Sequence, residues 1–127
     1  MKHDIILASA SPRRKELLNL ITDNFKVIPS AVEEIVPQNL DVRIVPQFLA
    51  ELKAKDIAKK HNNSIVIGAD TCVIVDNKIL GKPFDRQDAY NMISLLSGKT
   101  HLVIYNYTGI SADYNRVIMF FGYILCF

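Results

Sequence analysis

Apolar runs and amphipathic segments alternate along the first hundred residues. The first run, Ile5 to Leu7, is unbroken and ends in small residues, which predicts a short buried strand over residues 4 to 8. Ser11 then suits the N-cap of a helix, and Pro12 suits its first position, where the missing amide costs no intrahelical bond. The beginning of the chain is therefore predicted to be strand, tight loop and helix.

The same reading predicts five further elements. A strand over Phe25 to Ile28 is followed by a helix over about Val42 to His61, which has Pro46 in its first turn and Lys53 along its length. Next come a strand over Ser64 to Ile67 that enters Gly68 to Thr71, and a hairpin over Cys72 to Leu80 with its turn near Asp76 and Asn77. The last element is a helix that begins at an Asp85 cap and ends at Gly98. Strands and helices in alternation favour a layered α/β architecture over a bundle or a sandwich.

Composition restricts the function classes without naming one. The 127 residues suffice for one domain, and a net charge of +2 with 22% charged residues is too small for a general binder of nucleic acid or of acidic membranes. Cys72 and Cys126 lack metal-ligand neighbours at short spacing, and the amino terminus lacks a signal-peptide pattern, so a cytoplasmic location is expected. The most apolar stretch, Val117 to Phe127, has about half the length that spans a bilayer, so no membrane partner is expected.

The loop after the first strand is the first candidate for chemistry. Amides at a helix N-terminus, the hydroxyls of Ser9 and Ser11, and the guanidinium of Arg13 could together hold a phosphate. The alternative from this stretch alone is that the basic residues from 13 to 15 form a solvated helix end paired with Glu16.

Acidic and basic side chains elsewhere suit the same ligand. Asp70 follows an apolar strand and a glycine, at a place where α/β proteins mount functional groups, and its carboxylate could hold a divalent cation or act as a general base. A turn-capping role is the alternative for Asp70, and plain solvation is the alternative for Glu33, Lys53 and Lys82. Taken together, the set offers cations for phosphate and carboxylates for a metal or a proton.

Five ordered blocks carry a family resemblance. ILASASPRRKELL, LAELKAKDIA, VIGADT, ILGKPFD and LLSGKTH resemble the amino-terminal half of the Maf family over roughly residues 3 to 103. That family consists of nucleoside triphosphate pyrophosphatases. Their architecture, which is related to that of the inosine triphosphate pyrophosphatases, implies an α/β fold with a mixed sheet and flanking helices, incomplete here.

The resemblance implies an activity and a set of site residues. The expected reaction is cleavage of a nucleoside triphosphate to the monophosphate and pyrophosphate with Mg²⁺ or Mn²⁺. Asp70 is the implied general base, and Glu33 would join it in holding the metal. Lys53 would grip the triphosphate, and Lys82 would neutralise charge on the leaving group.

Ser9, Arg13 and Thr71 are the implied substrate-binding residues. Arg13 after Ser-Pro and Thr71 after Asp70 match the pattern of the subgroup that acts on dTTP and UTP. Modified nucleotides are further substrates that the resemblance implies. A pyrimidine nucleoside triphosphate is thus the expected substrate.

The resemblance fades toward the end of the chain. We interpret residues 1 to 103 as the Maf-like portion and residues 104 to 127 as a divergent apolar tail of a C-terminally truncated member. Such a sheet would expose an edge, so a homodimer or another association through that edge is expected. Three hypotheses follow: a truncated pyrophosphatase, a non-catalytic nucleotide- or partner-binding protein linked to septum formation, and a non-functional remnant.

Overall fold

A computed structural model describes residues 3 to 111 and 116 to 126. In chain order its elements are β1 (Asp4–Leu7), α1 (Pro12–Asn19), β2 (Lys26–Val27), α2 (Val45–Ala58), β3 (Ser64–Val75), β4 (Lys78–Leu80), α3 (Arg86–Leu96), β5 (His101–Ser111) and β6 (Arg116–Cys126). The strands form one mixed sheet in the order β2-β1-β3-β5-β6, with β4 also paired to β3. The predicted α/β fold with a mixed sheet and flanking helices is confirmed.

Helices α1 and α3 begin where the sequence predicted, whereas α2 begins and ends three residues inside the predicted range of Val42 to His61. The Ser11 side chain caps α1 by accepting from the Arg14 amide, Pro46 lies in the first turn of α2, and Asp85 caps α3 by accepting from the Asp88 amide. Gly98 then adopts a φ of 70°, a left-handed conformation that ends a helix at little steric cost.

The third strand is longer than predicted. We expected a strand over Ser64 to Ile67 that entered Gly68 to Thr71 and a separate hairpin from Cys72, but β3 is one continuous strand to Val75, and it turns at Asp76 and Asn77 as predicted. The alternative turn-capping role of Asp70 is therefore wrong. The extension follows from long-range pairing, since β5 lies antiparallel to β3 from Ile65 to Ile74. The tertiary ladder therefore overrides the weak strand propensity of the Gly68–Ala69–Asp70 stretch.

The hydrophobic core lies between α2 and the sheet. Alternate β3 residues point toward α2, where Val66 and Cys72 are buried against Ala54, Ile57 and Leu49. Helices α1 and α3 bury no residue fully. Within the described ranges, no helix is long and apolar enough to cross a membrane.

The last two strands fall partly in the predicted tail. β5 crosses the predicted boundary at residue 104, and β6 pairs with it antiparallel from Arg116 to Cys126. Phe127, the end of the apolar stretch considered above, lies outside the described residues. The predicted division of the chain at residue 104 stays a prediction.

Candidate functional site

The middle of β3 lacks a neighbour on one side. β1 pairs with β3 only from Ser64 to Ile67, and β4 pairs with it only from Val73 to Val75. Residues 68 to 72 therefore have an open edge on that side, while β5 continues along the other. A cavity of about 990 Å³, here called the β3 cleft, lies at this opening between α1, α2 and β4. Its charged and hydroxyl lining comprises Ser9, Ser11, Arg14, Ser30, Glu34, Lys53, Asp70, Thr71 and Lys82.

An ion-paired triad of Lys53, Asp70 and Glu34 lines the cleft. The Nζ of Lys53, on α2, lies 2.9 Å from Oδ1 of Asp70 and 3.0 Å from Oε1 of Glu34. The Lys53 and Asp70 side chains are only 16% and 12% exposed. Burial by itself lowers the pKa of Lys53, but hydrogen bonds from its ammonium to Asp70 and Glu34, together with their charges, raise that pKa above its ordinary value. Lys53 is thus a fixed cation at neutral pH.

The second oxygen of Asp70 is also engaged. Cys72 follows on the same face of β3, and its thiol donates to Oδ2 of Asp70 at 3.4 Å. Burial, reinforced by the charge of Asp70, raises the pKa of the Cys72 thiol to about 12. Cys72 is therefore a neutral hydrogen-bond donor under physiological conditions and a poor nucleophile.

The loop before α1 and the first turn of α1 bring hydroxyls and a guanidinium to the cleft. Ser9 is buried, and its Oγ accepts from the Ser11 amide at 3.3 Å and from Nη1 of Arg14 at 3.1 Å. Arg14 also donates from Nη1 to the carbonyl of Ala69 at 3.1 Å and from Nη2 to Oγ1 of Thr71 at 3.2 Å. The start of α1 is thereby joined to the open edge of β3.

The cleft brings together most of the residues that the sequence singled out. Its lining includes Ser9, Lys53, Asp70, Thr71 and Lys82. Their individual roles remain predictions.

Arg13 and Glu33 do not line the cleft. Both are exposed, and the following residue in each case, Arg14 or Glu34, lies on the cleft instead. The substrate-binding role of Arg13 and the metal-binding role of Glu33 stay predictions.

The sequence contains a pattern that indicates Glu34 as the cleft residue of its pair. It contains no pattern that indicates Arg14 over Arg13. Val32 and Val36 flank Glu34 at two-residue spacing, so an extended conformation places Glu34 on the same side as these two half-buried residues, with 48% of its own side chain exposed. On α1, the inward position is Arg14, four residues before the half-buried Leu18. Arg13 stands four residues before Leu17, which is equally apolar, so the helical pattern alone could not discriminate.

The donor chemistry of the cleft suits a hard divalent cation. Among the residues that the structure describes, no three histidine, cysteine or acidic side chains form a ready-made metal cluster. However, Mg²⁺ commonly binds through one or two carboxylates together with substrate phosphates, and Asp70 and Glu34 supply two carboxylates at one ammonium. These two carboxylates are a donor set that fits such a cation.

The comparisons with known proteins agree with the sequence blocks. The family model described as Maf-like protein matches residues 4 to 118. The chain belongs to the Maf-like proteins. The predicted resemblance is confirmed.

Named relatives of this Maf-like chain share one description. It is 47% identical over 111 residues to the dTTP/UTP pyrophosphatase of Bacillus pumilus, covering 87% of the chain and 57% of the relative. It is 50% identical over 106 residues to the dTTP/UTP pyrophosphatase of Bacillus cytotoxicus, covering 84% and 54%. The Maf-like chain thus spans about half the length of the curated relatives that it matches.

A solved structure supports the fold. The Ham1 protein of Staphylococcus aureus matches 96% of the Maf-like chain and 70% of its own chain, with a TM-score of 0.68 and 17% identity. At that identity the likeness concerns the α/β fold alone.

Proposed function

We propose that this chain binds a pyrimidine nucleoside triphosphate, dTTP or UTP, in the β3 cleft and hydrolyses it to the monophosphate and pyrophosphate. The observation that carries the proposal is the pairing of Asp70 with Lys53 at 2.9 Å, in a cleft that also exposes hydroxyls and further cations. The relatives named dTTP/UTP pyrophosphatase, at 47–50% identity, support the choice of substrate.

The residues of the cleft can share the chemical work. Asp70 accepts the proton of the attacking water, and the phosphoanhydride bond between the α- and β-phosphates breaks as a P–O bond to the water oxygen forms. Lys53 and Lys82 neutralise phosphate charge, and Lys82 balances the charge of the departing pyrophosphate. Ser9 and Thr71 bind and orient the triphosphate from the cleft lining, and Arg13, which is exposed on α1 outside that lining, joins them in the proposal. Phosphoryl transfer depends on positioning and charge neutralisation more than on covalent catalysis, which matches such a set.

A divalent cation, Mg²⁺ or Mn²⁺, belongs to the proposal. Asp70 would hold it together with an acidic side chain of the Glu33–Glu34 pair, and Glu34 is the one that already contacts Lys53. When bound, the cation neutralises charge on the phosphate oxygens. Before the ligand binds, the Lys53 ammonium contacts both carboxylates and offsets their mutual repulsion.

Pyrophosphate release tests the proposal. Purified chain is assayed with dTTP, UTP, purine nucleoside triphosphates and 7-methyl-GTP, with Mg²⁺ or Mn²⁺. We expect release from the pyrimidine nucleotides, and we expect Asp70→Asn to lower turnover at least about a hundredfold, the scale for losing a general base. Asp23→Asn, the same change at an exposed loop position, is the matched control.

The outcomes separate the hypotheses. Near-normal turnover by Asp70→Asn would remove Asp70 from the role of base. If the wild-type chain binds dTTP at equilibrium without turnover, the hypothesis of a non-catalytic nucleotide-binding protein would be favoured over that of an enzyme.

A further inference from the structure

The guanidinium of Arg14 occupies the gap in the sheet. In β3 the carbonyl of Ile67 accepts from the amide of Ala8 at 2.8 Å, and two residues later the Ala69 carbonyl has the Arg14 guanidinium in place of a strand neighbour. The same side chain reaches Ser9 on one side and Thr71 on the other. One arginine of α1 thus connects the loop before that helix with the stretch of β3 that carries Asp70.

These contacts determine where two hydroxyl hydrogens can go. The Oγ of Ser9 accepts two N–H groups, from Ser11 and Arg14, so both lone pairs are used and its own hydrogen must be donated elsewhere. Because Ser9 lines the cleft, an anion bound there is the available acceptor. Thr71, next to Asp70, likewise accepts from Arg14 and keeps its hydroxyl hydrogen for another partner.

Three of the five N–H donors of Arg14 are committed to the protein. Both hydrogens of Nη1 are used, one for Ser9 and one for Ala69, and Nη2 donates to Thr71. A planar guanidinium can serve these three acceptors at once, whereas a lysine ammonium presents a single nitrogen. Such geometry suits an arginine that orders the groups around a ligand.

We propose that Arg14 is a positioning residue, which orients the hydroxyls of Ser9 and Thr71 as donors toward the triphosphate. This inference rests on the function proposed above. It differs from a direct phosphate-binding role in one measurable way: the effect of changing Arg14 must pass through Ser9 and Thr71.

A mutant cycle on the full chain tests the inference. Arg14→Lys is made in the wild type and in a Ser9→Ala/Thr71→Ala background, and kcat and KM for dTTP are measured from pyrophosphate release. We expect Arg14→Lys to lower kcat/KM at least tenfold in the wild type and at most about twofold in the background. The equilibrium Kd for dTTP gives the same comparison if turnover in the background is too slow. Lys15→Gln, an exposed loss of charge on the same helix, should leave both constants unchanged.

The possible results are distinguishable. An equal loss in both backgrounds would overturn the positioning role, because a direct phosphate ligand acts independently of Ser9 and Thr71. A wild-type chain that neither turns over nor binds dTTP would overturn the proposed function and this inference together. Thermal unfolding of each variant checks the fold, and Arg14→Gln replaces Arg14→Lys if the lysine variant shows no cooperative transition.

Discussion

At Gly68, α2 lies so close to β3 that even the smallest side chain should disturb their contact. A Cβ built on Gly68 would lie 2.3 Å from the carbonyl oxygen of Ala50 and 2.9 Å from the Cβ of Ala54. Ordinary contacts of a Cβ begin at 3.4 Å, so Gly68→Ala requires α2 to retreat from the sheet by about 1 Å. The obstacle is helix backbone, which cannot rotate away as a flexible side chain would.

The expected loss of stability follows from overpacking. Forcing one extra methyl into a packed interface typically costs about 1–3 kcal/mol. For a chain of this size each kcal/mol lowers the midpoint of thermal unfolding by about 3–5 °C, so Gly68→Ala should unfold some 3–15 °C below the wild type. Because Lys53 precedes Ala54 on the same helix, the retreat also carries its ammonium away from Asp70 and should lower turnover.

Thermal unfolding followed by circular dichroism measures the effect. Gly81→Ala is the matched control for stability, because a Cβ at Gly81 meets no atom within 4 Å. An unfolding midpoint for Gly68→Ala within about 1 °C of both the wild type and Gly81→Ala would refute the reasoning, since it would mean that the helix and strand accommodate the methyl group without cost.

Two further predictions concern stability. Asn106 is fully buried, and its Oδ1 accepts from Oγ1 of the buried Thr108 at 3.3 Å, while its Nδ2 has no hydrogen-bond partner among the described residues. Asn106→Ala leaves the Thr108 hydroxyl without that acceptor and should cost about 1–3 kcal/mol in urea unfolding. The same change in a Thr108→Val background leaves no such donor and should cost less; an equal cost in both backgrounds would contradict this explanation. A hydrogen bond from Ser30 lowers the pKa of Asp56 in the folded chain. The ionised Asp56 carboxylate therefore stabilises the fold above its unfolded pKa of 3.8, and this stabilisation is lost as the pH falls through the lower pKa of the folded chain. The free energy of unfolding should therefore rise less between about pH 2 and pH 5 in Asp56→Asn than in the wild type, whereas Asp23→Asn should match the wild type. Parallel pH profiles of the free energy of unfolding for the wild type and Asp56→Asn would contradict this prediction.

Local signals in the sequence predicted the helices well. Ser11, Pro46 and Asp85 mark helix starts through interactions with their own neighbours in the chain, so no tertiary information is needed to place them. The apolar spacing along this segment also predicted that Lys53 lies on α2, whereas its contact with Asp70 was seen only in the structure.

The extended β3 and the exact lining of the cleft depend on distant parts of the chain. Asp70 lies in the middle of a strand because Asn106 and its neighbours on β5 pair with that stretch, and nothing within the GADT block reveals the partner. The choice of Arg14 over Arg13 depends in the same way on acceptors 55 and 57 residues later in the chain. Side-chain roles set by such contacts are invisible to local pattern.

The parallel pairing of β1 with β3 has a consequence for how the chain folds. Asp4 is opposite Ser64, so some 60 residues must be enclosed before the two strands meet, and closing so long a loop costs entropy before any contact repays it. Ser9 follows Leu7 by two residues and Asp70 follows Ile67 by three, so both lie just beyond the carboxyl end of that pairing. Ligand binding in the β3 cleft should accordingly appear only with this non-local step during refolding, and a bound nucleotide would report completion of the sheet, not the formation of individual helices.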